Sequence, residues 1–172
     1  MVVEASAQEL KIGKMIPLFR LPAATRPQQL GPWDYKQNKN LVLFFFHSPQ
    51  CEPCRQLLRD LAKGYSEYPQ LNTEVLGICE AGIEELSQLQ RELGLPFPLL
   101  SDEGGKVFGA YLGQMGGGLA QTAVFVADRY GVLYTRATAT DADELPGEGE
   151  IRDWLSFIEI QCPECFPPEW PL

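Results

Sequence analysis

Apolar positions along this chain follow two periods, and the alternation between them predicts the architecture. Residues 41–47 and 73–79 are apolar on both faces of an extended chain, the pattern of central strands covered from two sides. Residues from about 54 to 68 and from 83 to 93 carry apolar side chains at helical spacing, as at Ile83, Leu86, Leu89 and Leu93. Strand, helix, strand, helix predicts a parallel core. Residues 94–100 read as a short edge segment, 103–111 as a small helix, and Gly116-Gly117-Gly118 as a flexible joint. The pattern then changes. Residues 122–127 and 132–137 flank Asp128-Arg129-Tyr130-Gly131, a turn between antiparallel strands, and 148–160 close as an amphipathic helix after an acidic loop at 138–147. Ahead of the core, 12–21 read as an extended lead-in, and 22–40 as turns with a short pairing segment around Trp33-Asp34-Tyr35.

Composition bounds the function more than the fold. With 172 residues, 45% hydrophobic and 22% charged, the chain suits one domain, expected over 1–161, followed by a Pro-rich tail over 162–172. A net charge of -9 argues against nucleic acid and anionic membrane as partners, both of which need a positive surface. The first nine residues have neither a basic start nor an apolar stretch, so no secretory signal is expected, and the longest apolar run is far too short to cross a bilayer. Five cysteines, an odd number, fit reactive thiols in a reducing compartment better than a secreted disulfide framework. The expected location is the cytoplasm.

Chemistry enters at Cys51-Glu52-Pro53-Cys54, between an apolar strand and a helical run. Unpaired backbone N–H groups at a helix start favour thiolate over thiol. Two thiols three positions apart can close a small ring, so one attacks a disulfide or peroxide and the other resolves the product. Pro53 suits a first helical turn. Cys51, nearer the open end of the turn, is the expected nucleophile, and Cys54 the resolver. Arg55 should favour a thiolate and Glu52 oppose it. His47, the chain's single histidine, ends the first core strand beside the cysteines, where it either transfers protons or merely finishes the strand. The competing reading of the pair is two structural thiols or half of a zinc site.

The order of elements, with Cys-x-Pro-Cys after the first core strand, resembles the thioredoxin fold. More specifically it resembles the peroxiredoxin-like alkyl hydroperoxide reductase and thiol-specific antioxidant (AhpC/TSA) family. Residues 10–21, 41–55, 100–108 and 124–131 carry the likeness, in the family's order. The resemblance implies an α/β, thioredoxin-like three-layer fold, a central mixed β-sheet flanked by helices, with a peroxiredoxin-type N-terminal extension. It implies a thiol-disulfide oxidoreductase or antioxidant enzyme, or alternatively a thiol peroxidase reducing hydroperoxides. A protein disulfide or hydroperoxide would be the substrate and a thioredoxin-type protein the reductant, with no bound cofactor or metal.

The family's Pro-x-x-x-Thr-x-x-Cys motif fits in either of two registers. One ends on Cys54, with His47 in place of the proline and Cys51 in place of the threonine; the other ends on Cys51 and keeps a hydroxyl at Ser48 but has Phe44 in place of the proline. The peroxide-activating arginine of the family, and the cis-proline of its disulfide branch, belong three residues before Phe125, where this chain has Thr122. The intact dithiol therefore favours disulfide exchange, with zinc binding as a third, non-enzymatic alternative. Cys162-Pro163-Glu164-Cys165 in the tail reads as a second redox pair, half a metal site, or two thiols without a role. Cys79, at the end of the second core strand, is expected to act as a small hydrophobe.

Overall fold

The computed structural model describes residues 10–113 and 122–161, and the predicted glycine joint and the tail cysteines lie outside them. Its centre is a five-stranded mixed sheet in the order β5-β4-β3-β6-β7, formed by β3 (Asn40–Phe45), β4 (Thr73–Cys79), β5 (Leu99–Ser101), β6 (Thr122–Ala127) and β7 (Leu133–Ala139). β3 pairs in parallel with β4, and β4 with β5. β6 runs antiparallel to β3 and to β7. Every residue of β3, β4 and β6 is buried, as strands apolar on both faces require.

Alternation along the strands builds two cores. Val42, Phe44 and Phe46, with Val75, Cys79, Val124 and Val126, face one side. There they pack beneath the helices α1 (Glu52–Gly64), α2 (Ile83–Leu93) and α4 (Glu148–Glu159). Leu41, Leu43 and Phe45, with Leu76, Ile78 and Phe125, face the other, under α3 (Lys106–Leu112) and the N-terminal segment. Phe45 sits among aromatic rings there, its centroid 5.0 Å from those of Phe108 and Tyr111. Gly77 is required by packing: a Cβ at that position would lie 2.5 Å from Leu99 Cδ2.

The N-terminal extension is tied down at several points. Ile16 N–H donates to Gly131 O, Tyr111 Oη donates to Pro17 O, and Ala24 N–H donates to Leu99 O. One expectation needs correcting. Trp33-Asp34-Tyr35 do not pair as a strand; Pro32–Tyr35 form a single 3-10 turn, and the pairing is made just ahead of it, by β1 (Leu21–Pro22) with β2 (Gln29–Leu30). The reason is local: Pro32 opens the turn, and the Asp34 carboxylate accepts the Gly31 N–H at 2.9 Å. The first helix is also shorter than its periodicity predicts, tightening into a 3-10 segment over Tyr65–Leu71 that contains Pro69.

At the opposite end of the sheet from the cysteines, one partly buried network centred on buried Asn40 locks α4 down. Asn40 Nδ2 donates to Leu71 O at 3.0 Å and Glu159 Oε1 at 2.7 Å, and its Oδ1 accepts Arg129 N–H at 2.9 Å. Arg129 Nη2 meets the same Glu159 oxygen at 2.9 Å.

Candidate active site

The site forms where β3 runs out and α1 begins. Phe46 N–H still donates to Ile78 O, and beyond it the chain turns through Ser48, whose carbonyl accepts Cys51 N–H. Cys51 is the residue capping α1, in extended conformation, with Glu52 and Pro53 in the first turn. Its sulfur accepts the backbone N–H of Cys54 at 3.3 Å. This is the place an oxygen-bearing cap normally fills, with a sulfur instead. Cys51 is partly exposed, whereas Cys54 is 0% exposed and packed with Phe46, Leu58 and Cys79 in the core under α1.

His47 completes the cluster. Its Nδ1 lies 3.8 Å from Cys54 Sγ, and the ligating atoms of His47, Cys51 and Cys54 all fall within 4.8 Å of one another. Burial pushes the Cys54 thiol well above its ordinary range, and the neighbouring Cys51 pushes it further, while a hydrogen bond from the His47 backbone pulls the other way. Burial likewise raises the Cys79 thiol, to about 11.

The two other candidate side chains have partners of their own. Arg55 donates to Pro49 O at 3.0 Å and to Glu92 Oε2 at 2.9 Å, and its Nε lies 3.9 Å from Glu52 Oε2. Arg59 meets Glu52 at 2.7 Å, so the acidic residue inside the motif is drawn into ion pairs along α1. No feature of the sequence marks Glu92, 37 positions from Arg55, as a part of this edge of the site. Thr122 is fully buried at the start of β6 and donates its hydroxyl to Ala139 O at 3.1 Å. Because Phe45 pairs with Ala123, Thr122 stands beside the end of β3 that leads to the cysteines.

Residues 12–136 match the AhpC/TSA family. The chain belongs to that family. The peroxiredoxin-type protein ycf42 of Porphyra purpurea is 30% identical over 172 residues, covering 94% of this chain and 86% of its own. Two solved structures share the fold: AhpC of Mycobacterium bovis, with a TM-score of 0.77, 19% identity and coverage of 95% of this chain and 99% of its own, and the peroxidoxin BcpB of Mycobacterium tuberculosis, with 0.74, 18%, 90% and 100%. This AhpC/TSA protein is a thiol-dependent oxidoreductase. The zinc-binding alternative is not favoured, although the His47, Cys51 and Cys54 donors would suit a soft metal ion, because the family's chemistry is redox. Among the described residues no helix is long and apolar enough to cross a membrane.

Proposed function

We propose that the protein cycles between a dithiol and a disulfide at Cys51 and Cys54, with Cys51 as the attacking thiol. The observation that supports it most is the contrast within the pair: Cys51 is partly exposed at the helix start and receives an N–H on its sulfur, while Cys54 is completely buried behind it. The first step is attack by the Cys51 thiolate on a substrate disulfide, forming a mixed disulfide and releasing one thiol. Attack by Cys54 on the Cys51 sulfur then releases the second thiol and closes the ring. A thioredoxin-type protein or another thiol returns two electrons.

The second reading is hydroperoxide reduction. It is favoured by the likeness to ycf42, named a peroxiredoxin. Here Cys51 becomes a sulfenic acid, and Cys54 displaces water from it. Thr122 replaces the supporting residue of both branches, whereas the intact dithiol and an Arg55 already engaged by Pro49 and Glu92 argue for the disulfide. A mass-spectrometric map of thiols after brief low-dose peroxide, compared with an oxidised disulfide, separates the two. Preferential oxidation of Cys51 by the disulfide is expected; faster loss of the thiol to peroxide would favour the second reading. Cytoplasmic placement and an electron relay through Cys162 and Cys165 belong to the same proposal.

A further inference from the structure

Resting on the dithiol reading, we propose that His47 is the general base that deprotonates Cys54 for the resolving step, and the acid that protonates the departing group. The need for a base follows from burial. Cys54 is 0% exposed, among Phe46, Leu58 and Cys79, and must become a thiolate before it can displace anything from Cys51. A thiol in that setting ionises unaided only at a steep cost, because burial and the adjacent Cys51 both oppose the charge.

His47 has the geometry to remove that obstacle. Its Nδ1 is within sulfur hydrogen-bonding distance of Cys54, at 3.8 Å, and His47 is partly exposed while Cys54 is not. The pair thus joins a buried proton to the surface through one side chain. Imidazole is the side chain able to take up and return a proton near neutral pH. Of the other titratable or charged groups on the packed elements, Arg55 on α1 pairs with Glu92 on α2, and Cys79 at the end of β4 is a free thiol raised by its own burial. Thr122 on β6 bears no charge, and Glu52 is held by Arg59.

The step balances as follows. With Cys51 in a mixed disulfide, the Cys54 S–H proton moves to Nδ1, which must start unprotonated, with hydrogen on Nε2. The Cys54 thiolate attacks Cys51 Sγ, the Cys51–Cys54 bond forms, and the bond to the substrate sulfur breaks. The leaving thiolate takes the proton from the imidazolium. On the peroxide route the same proton accompanies the hydroxide leaving a Cys51 sulfenic acid, giving water. Two electrons pass from the dithiol to the substrate in either case.

The test uses full-length protein carrying Cys162→Ser and Cys165→Ser, reacted with the disulfide 5,5'-dithiobis(2-nitrobenzoate). Attack by Cys51 releases one coloured thiolate, and resolution by Cys54 releases a second. His47→Gln and His47→Asn should slow the second release by about a hundredfold relative to the first, the scale of a lost general base. In the variants the second rate should keep rising with pH, whereas with His47 present it should level off. A variant whose second release matches the parent in rate and pH profile overturns the proposal. A parent whose second release rises tenfold per pH unit without levelling overturns it too, even if neither variant folds. If the parent forms no adduct at Cys51, the dithiol reading itself fails and the base falls with it; an adduct that resolves normally without His47 sinks the base alone.

Discussion

The backbone N–H of Cys54 donates to the sulfur of Cys51 at 3.3 Å, so the Cys51 thiol is tied to the first turn of α1 at the residue that carries the second thiol. The bond makes one cysteine the cap of the helix and the other part of its buried face, and so makes them chemically unequal.

On the proposed cycle Cys51→Ser should abolish disulfide reduction, because it removes the proposed attacking thiol. Cys54→Ser should still attack but stall as a mixed disulfide with the substrate, visible on a non-reducing gel. Trapping by Cys51→Ser instead would reverse the roles and support the register that ends on Cys54.

Oxidation by hydrogen peroxide should be slower than in a peroxiredoxin bearing an arginine at the position of Thr122, by about a hundredfold, the usual cost of one missing charge-stabilising donor. Stopped-flow oxidation followed at low peroxide checks it. Fast, saturating kinetics would promote the peroxidase reading.

The reduced protein should lose stability at alkaline pH. The thiols of Cys54 and Cys79 are raised in the fold, Cys79 to about 11, and ionise at their ordinary values once unfolded. A raised group stabilises below its unfolded value, and that contribution is lost as pH climbs, so the decline should set in above about pH 8.5. Denaturant unfolding of reduced protein between pH 7 and 10 measures the slope. Cys79→Ala should flatten it, by up to about 1.4 kcal/mol per pH unit.

Asn40→Ala should destabilise the fold by about 1–3 kcal/mol, since it leaves Glu159 and the Arg129 N–H short of a partner in a partly buried network. The redox steps at the far end of the sheet should be unchanged. Thermal unfolding beside a disulfide-reduction assay tests both halves.

Truncation after Ile160 should leave the Cys51–Cys54 disulfide able to form but slow its re-reduction by an external thiol, if Cys162 and Cys165 relay electrons to it. Equal rates in truncated and full-length protein would rule out the relay.

Much of this protein is written in its local pattern. β4 and α2 occupy residues 73–79 and 83–93 as their periodicities predict, because a doubly covered strand must be apolar on both faces, and because Gly94, at φ +59, ends the helix where its apolar stripe stops. The placement of Cys51 and Cys54 at a strand-to-helix turn is equally legible, since Cys-x-Pro-Cys after an apolar run is a local pattern. The aromatic Trp33-Asp34-Tyr35 misled for the same local reason: bulky residues favour strands, but Pro32 and the Asp34 carboxylate closed a turn first.

Contacts between distant segments were decided only by the tertiary structure. Placing β6 beside β3 sets Thr122 next to the cysteine end of the sheet, and packing α1 on that sheet buries Cys54 while leaving Cys51 partly open. Arg55 finds Glu92 across two helices, and His47 meets the Cys54 sulfur rather than simply ending a strand. Sequence spacing determines which backbone groups a thiol meets within one turn of helix. Which thiol loses its water, and which side chain stands beside it, depends on how remote surfaces pack, and no local period encodes that.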